Sequence, residues 1–377
     1  MDFRCVKINM PKKDKLDFFK DFADMCSFYL FNKIMIEVGK EDLLRTADIT
    51  EMCDYCDELG IEVIPYCEHG ISEQVSDLFL CANMAVKGFG EFNSEELKKK
   101  LSELKKVNSE ILLTASEIMS ITSKTGEECG NTLNTYTVVP KGYKILNDLY
   151  DIKEESEEIL INSGLEPVMY NFNPTGIYNF YKRVGKGVCG ICLVNNAEFN
   201  EEIMQRNGIF LYMAYSHLMF TDVSFNEDKF QENFLKAADS VCRYKNRLLI
   251  TSPHIEITHT THVFMEHDSF ENGYIPDYEN EYIGKYILTY EDGSKEVVPV
   301  YYGLNIGNSK ADFYRELDFE KEMMNICEQL AEVTYSCVPS REGATMYYTF
   351  IYPLKDNIKN IELNSEEIIL KSVYEVK

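Results

Sequence analysis

Residues 49–68 read ITEMCDYCDELGIEVIPYCE, and within this stretch the apolar period changes. Ile49, Met52, Cys53, Cys56 and Leu59 recur at the three- and four-residue steps that line one face of an α-helix. Gly60 then stands where a residue free to turn left-handed ends a helix. After it Ile61–Cys67 forms a short apolar run with strand character. Outward from here the same alternation repeats. Cys5–Met10 (CVKINM) and Lys33–Val38 (KIMIEV) have strand character, and between them Leu16, Phe19, Phe22, Ala23 and Cys26 fall at helical intervals. Asn93 and Glu96 form a capping pair ahead of Leu97, Leu101, Leu104 and Val107, after which Ile111–Ala115 (ILLTA) is apolar again. Repeated strand-then-helix units predict parallel strands joined by crossover helices.

Further along, the apolar spacing predicts a long helix from about Tyr143 to Ser163, closed by Gly164, then strands over Glu166–Phe172 and Val188–Asn195. That makes six parallel strands. Beyond about Leu249 the pattern turns to β: residues 286–303 (YILTYEDGSKEVVPVYYG) hold two strands around an Asp292-Gly293 turn, and TMYYTFIYP and IKNIELN continue it. The expected fold is α/β, a (β/α) TIM-type barrel over residues 1–249 followed by a C-terminal β-sandwich over 250–377. Between Phe172 and Val188 lie only the residues 173–187, too few for two further units of some 30 residues each. The barrel is therefore expected to be incomplete or shortened, or to use Thr135–Val139 (TYTVV) as a substitute strand.

The 38 basic and 63 acidic residues give a formal charge of -25, which repels phosphate backbones and anionic membrane surfaces. Nucleic acid and membrane are excluded as expected partners. Met1–Lys13 lacks the apolar core of a secretory signal, and the longest apolar run, Ile209–Phe220, is broken by Ser216 and His217, so a cytoplasmic protein is expected. The 12 cysteines are then expected as thiols. Cys53 and Cys56 share the buried stripe of their helix; Cys189 and Cys192, three apart in a strand, point to opposite faces and cannot clamp one ion. The same parity weakens His259 and His262 as a zinc pair, since structural zinc needs four converging ligands. No metal and no cofactor are expected.

In barrels of this kind function gathers at the C-terminal ends of the strands. Those ends supply Asn9, Glu37, Glu68, Glu117, Asn171 and Asn195, an acid and amide lining suited to a hydroxyl-rich ligand, or simply to solvent. The small-molecule partner expected is therefore a carbohydrate or glycan.

The order of the pieces carries a resemblance. FRCVKINMPKK resembles the opening strand of the β-N-acetylhexosaminidases of glycoside hydrolase family twenty, FNKIMIEVG their second strand, and ITEMCDYCDELGIEVIPYCE their next helix and third strand. GVCGICLVNNAEFNEEIMQRNGIFLYMAYSHLMF is similar to the closing strand and its helix, and YILTYEDGSKEVVPVYYGLNIG to an accessory sandwich of bacterial relatives. In that family the fourth strand ends Gly-Gly-Asp-Glu. Its Glu protonates the leaving oxygen, and its Asp orients the substrate's own acetamido group, which attacks the anomeric carbon. Laid on LLTASE, the resemblance puts Glu117 on the acid and Ser116 where the Asp belongs.

Other positions depart as well. Asn9 stands for an Asp, Lys12 for a sugar-gripping Arg whose bidentate fork lysine cannot reproduce, Gly70-Ile71 for a Gly-His pair, Tyr170 for a Trp, and Asn195-Asn196 for another Trp. The chain has no Trp at all, against 25 Tyr. Losing one placed electrostatic stabiliser costs on the order of 10² to 10³ in rate. The resemblance thus implies a hexosaminidase-like scaffold impaired in catalysis that binds N-acetylhexosamine glycans. Its alternatives are a weak enzyme using Glu117 as general acid, and a non-catalytic interaction protein.

Overall fold

The computed structural model describes residues 1–376 apart from 80–82, 109, 124, 151, 153–154, 175–179, parts of 202–252, and 264–280, 303–304, 310–337 and 340–345. The chain forms two compact units, Met1–Asn200 and Glu201–Lys377. No helix among the described residues is long and apolar enough to cross a membrane.

The first unit is a closed ring of eight parallel strands. In chain order these are β1 (Phe3–Asn9), β2 (Lys33–Glu37), β3 (Glu62–Glu68), β4 (Asn83–Lys87), β5 (Glu110–Thr114), then, after a small hairpin of β6 (Ser120–Thr122) and β7 (Glu128–Gly130), β8 (Lys144–Asn147), β9 (Glu166–Tyr170) and β10 (Gly190–Val194). Around the barrel they follow the order β1-β10-β9-β8-β5-β4-β3-β2, with β2 pairing back to β1. The TIM-type barrel is therefore real, and the expectation that it is incomplete is overturned: β4 and β8 complete the ring. What is shortened is the connecting chain, because eight strands close by Val194 where such barrels typically take about 250 residues.

The sequence pattern of β8 has a physical explanation. The helical spacing of Ile145, Leu146, Leu149 and Tyr150 predicts a helix through Lys144–Asn147, where the structure has a strand. A strand buried on both faces is a continuous apolar run and gives the same pattern. Gly142, at φ +82°, turns the chain beforehand, and its N–H donates to Gly164 O at 2.8 Å, locking β8 beside β9. The helix of this segment is confined to Glu155–Asn162. The substitute strand expected at Thr135–Val139 is instead a 3₁₀ turn over Thr135–Val138, entered through the left-handed Asn134.

The predicted helices α1 (Leu16–Phe28), α2 (Thr46–Glu58) and α4 (Ser94–Leu104) form, with a short α3 (Ser72–Phe79) between the last two. Ile49, Met52 and Cys56 are the buried face of α2, and Gly60 takes φ +70° just beyond it. The Asn93 side chain accepts from the N–H groups of Glu95 and Glu96, while Glu96 reaches back to Asn93 N. Burial raises the Cys53 thiol to about 11 and Cys56 to about 12, which suits packing better than nucleophilic or ligand chemistry.

Inside the ring, Phe3, Cys5, Met35, Ile64, Tyr66, Ala85, Leu112, Leu146, Val168 and Cys192 form one apolar plug. Side chains of the same parity cap it at both ends. At the N-terminal mouth Lys33 and Asn83 both bind Glu62, and Lys144 binds Glu110 with Glu166 at 3.9 Å. The seam between first and last strands is tight: Gly190 sits where a Cβ would lie 2.1 Å from Phe3 O.

In the second unit, β11 (His254–Thr261), β14 (Val338–Pro339), β15 (Tyr347–Ile351) and β17 (Ile368–Val376) form one antiparallel sheet, and β12 (Tyr282–Tyr290), β13 (Lys295–Tyr301) and β16 (Ile358–Asn364) another. Ile255, Ile257 and Ile351 from the first and Tyr286, Leu288 and Val300 from the second share one core, the packing of the expected β-sandwich. The Asp292-Gly293 turn is present between β12 and β13. His259 belongs to this core. Its Nδ1 lies 2.8 Å from Tyr286 Oη and its Nε2 2.8 Å from Asn305 O, and burial lowers its pKa to about 4. The sequence reading divides the chain at about residue 249; the apolar helix Ile209–Thr221 falls in the second unit.

Candidate functional site

The C-terminal mouth of the barrel is built on a charged floor. Lys7 is the third inward residue of β1 and is only 3% exposed. Its Nζ binds Glu37 Oε2 and approaches Asn196 Oδ1 at 3.3 Å. Lys87, at the end of β4, holds the other oxygen of Glu37 at 2.5 Å and lies 3.8 Å from Glu68. Both ammonium groups sit over the Tyr66 ring, at 5.5 Å and 5.2 Å from its centroid. Tyr170 packs against Tyr66 with ring centroids 6.4 Å apart. Burial pushes the Glu37 carboxyl up, but the hydrogen bonds from Lys7 and Lys87 outweigh it, and the net pKa is lowered. Burial pushes the Tyr170 phenol far up, so it remains protonated.

Beside this floor lies the β5 exit. The strand ends at Thr114, and a single helical turn, Ala115–Ile118, follows. Glu117 is in that turn rather than on the strand. Its Oε1 accepts from Gly88 N at 2.8 Å and its Oε2 from Phe89 N at 3.3 Å, both in the loop after β4. Burial raises its pKa; the two N–H groups pull it down, and the Glu68 and Asp148 carboxylates push it further up. The net direction is up, toward a carboxyl that keeps its proton longer than a free one.

Ser116 faces Asp148, the residue after β8. The backbone N–H of Ser116 donates to Asp148 Oδ1 at 2.9 Å and its hydroxyl donates to Oδ2. Asp148 could not be found from the sequence because β8 was hidden inside a predicted helix; once the strand is placed, Asp148 is its strand-end carboxylate. Lys7 and Lys87 left a clearer signal, a lone cation inside each of the apolar runs CVKIN and MAVKG. Next to Glu117, whose Oε2 accepts from Phe89 N, His69, Phe89 and Phe92 form an aromatic cluster with centroids 5.1 to 5.6 Å apart.

The remaining predicted residues have structural partners. Asn9 donates from Nδ2 to Asn196 O at 3.0 Å and Ala197 O at 2.8 Å, closing the loop after β10 onto β1. Asn195 is buried beside it, its N–H donating to Lys7 O at 2.9 Å. Lys12 is exposed and pairs with Glu198 at 2.7 Å. Asn171 takes φ +58° just after β9 and accepts the Tyr150 hydroxyl on its carbonyl at 2.9 Å. Glu68 is exposed at the rim. The structure therefore gathers Glu37 with Tyr170, sets Ser116 with Glu117 beside them, and leaves Lys12 and Asn171 engaged elsewhere. Among the described residues no group of three or more His, Cys, Asp or Glu side chains is placed to hold a metal ion.

No family model matches the chain, and no curated protein matches it by sequence. Solved structures do. A β-N-acetylhexosaminidase from Bacteroides fragilis is 11% identical, with a TM-score of 0.43 over 66% of this chain and 70% of that one. The protein CpGH84D is 12% identical, with a TM-score of 0.42 over 64% of this chain and 47% of that one. A sugar phosphate isomerase/epimerase from Parabacteroides distasonis is 11% identical, with a TM-score of 0.36 over 64% of this chain and 94% of that one. These likenesses assign no reaction to the chain, because one barrel architecture carries many chemistries.

Proposed function

We propose that this chain is a hexosaminidase-like barrel that binds N-acetylhexosamine-containing glycans at its C-terminal mouth and cleaves them poorly or not at all. The observation that carries the reading is the state of the β5 exit. A carboxyl whose pKa burial raises, Glu117, is retained there, yet both its oxygens accept backbone N–H groups, and the adjacent position is a hydroxyl where the resemblance requires a carboxylate. Such a site can hydrogen-bond an amide or a sugar hydroxyl, but it offers less negative charge to a developing oxazolinium, a deficit of about 3 to 4 kcal/mol in the transition state. The half-buried Tyr170, His69 and Phe92 offer the aromatic surface on which a pyranose ring would stack.

The test is a thermal shift titration with N-acetylglucosamine and N-acetylgalactosamine beside a chromogenic glycoside assay. A ligand that binds only the native protein raises its stability, so a concentration-dependent rise in Tm with negligible turnover is expected. No response to either sugar would sink the reading and leave the interaction-protein alternative. The raised pKa of Glu117 favours a second reading, a weak enzyme. Turnover that disappears in Glu117→Gln and rises in Ser116→Asp would establish it.

A further inference from the structure

Between Thr114 and Lys144 the described residues form no long crossover helix. A single helical turn, the β6–β7 hairpin and a 3₁₀ turn fill the interval. Asn131, the first residue after the hairpin, fastens this excursion to the loop after β4. Its backbone N–H donates to Met119 O at 2.8 Å. Its side chain donates from Nδ2 to Gly90 O at 2.8 Å and to Glu117 O at 2.7 Å, and its Oδ1 accepts from Leu133 N at 3.0 Å. Two carbonyl acceptors on one side and an N–H donor on the other allow the amide one orientation, with both its hydrogens spent. Gly130 leaves no slack beside it: its φ is +94°, and a Cβ there would lie 2.3 Å from Met119 O.

These bonds close a circuit around Glu117. Residues 88–90 give its carboxylate two N–H groups, Gly88 at 2.8 Å and Phe89 at 3.3 Å, and give the Gly90 carbonyl to Asn131, whose other hydrogen takes the carbonyl of Glu117 itself. Side chain and main chain of Glu117 are therefore tied to one three-residue segment. That segment opens on Gly88 at φ +94°, whose backbone freedom the bonds must suppress. We propose that Asn131 is the positioning residue for Glu117: through Gly90 it holds the loop after β4 so that two N–H groups meet the carboxylate and aim it. Hydrogen bonds to a carboxylate favour its charged form, so Asn131 acts on the protonation of Glu117 as well as on its direction. This rests on the reading above only in taking Glu117 as a group that faces a ligand.

The experiment uses the full chain labelled with nitrogen-15 and follows the amide proton resonances of Gly88 and Phe89 as pH is lowered from neutral into acid. Tyr66, Glu68, His69 and Asp148 are the other ionisable groups beside this carboxylate or Gly88, so Glu117→Gln is the control that isolates the share of Glu117. In the wild type both resonances should move with a common midpoint, and the movement should vanish in the control. In Asn131→Ala it should fall to roughly half its wild-type extent or less, because the N–H groups no longer stay on the carboxylate. A packing role alone would lower stability and leave this titration intact. Asn131→Asp keeps the shape and the bond from Leu133, but once ionised it sets a second oxygen against two carbonyls. At neutral pH the two resonances should leave their wild-type positions, and in acid, where the substituted carboxyl regains one hydrogen to donate, they should converge with those of the wild type. A full titration in Asn131→Ala, or unmoved resonances at neutral pH in Asn131→Asp, would overturn the proposal; should the first variant not fold, the second decides it. Either result beside a Tm response to an N-acetylhexosamine would remove the role of Asn131 and leave the glycan reading standing.

Discussion

Replacing Lys7 with Met tests the floor of the mouth. Met nearly matches the length of the lysine stem and fills the same space, so the perturbation is the loss of one ammonium from a site 3% exposed. Removing one partner of a buried ion pair costs about 3 to 5 kcal/mol. Two features of this site lower that range. Lys87 remains at 2.5 Å on the second Glu37 oxygen, and the Glu37 side chain keeps 31% exposure, through which water can serve the freed oxygen. A loss of about 2 to 3 kcal/mol is expected, read as a lower urea midpoint by far-ultraviolet circular dichroism at pH 7. The pH dependence sharpens the test. Glu37 has a folded pKa below its ordinary 4.5, so its contribution is present above that value and is lost as pH falls through the folded pKa. The gap between wild type and Lys7→Met should therefore narrow in acid. Adding Glu37→Gln to Lys7→Met should recover part of the loss at pH 7, because the one charge then left at the floor, Lys87, keeps Glu68 at 3.8 Å and partial access to water. A single variant within about 0.5 kcal/mol of wild type would refute the ion-pair account of the floor.

Further outcomes are expected elsewhere. Gly190→Ala places a methyl 2.1 Å from Phe3 O, so the barrel seam must part; a loss of about 3 kcal/mol in urea denaturation is expected, and a neutral result would mean that the strands shift freely. Arg183 binds Glu157 through Nε at 3.1 Å and Nη2 at 2.5 Å, both side chains buried; Arg183→Met should cost about 3 to 5 kcal/mol by the same measurement, and Arg183→Met with Glu157→Leu much less. Any residual glycosidase activity should fall as pH rises through the pKa of Glu117, which lies above 4.5, because a general acid works only while protonated; a flat profile would remove Glu117 from that role.

The sequence and the structure part company at identifiable places. Residues 49–68 suffice to announce strand-then-helix architecture, because Gly60 separates two clean periods. The capping pair at Asn93 and Glu96 and the Asp292-Gly293 turn are equally local, and each forms where local chemistry puts it. Lys144–Asn147 is different. A strand buried on both faces has no period of its own, and only its partners β5 and β9 define it. With β4 it is one of the two strands that close the ring, and it carries Asp148 at its end, which no local pattern marks as the partner of a serine 32 positions earlier. The motif marks Glu117, but its engagement by Gly88 and Phe89 depends on how two loops meet, which single-sequence periodicity cannot convey. Lys7 and Lys87 were legible in principle. A cation amid consecutive apolar residues is costly to bury unless something opposite neutralises it, and Glu37 is that counterpart.

The pairing of β1 with β10 has a consequence for biosynthesis. Phe3 meets Gly190 and Lys7 meets Val194, so the strand made first must wait for the one made last before the ring exists. Until Val194 has cleared the ribosomal tunnel, β1 presents an unpaired edge, and the plug around Met35 and Ile64 is open to water. Nascent chains of this protein should therefore stay dependent on chaperone shielding through most of the barrel's translation, and lock abruptly once the last strand emerges.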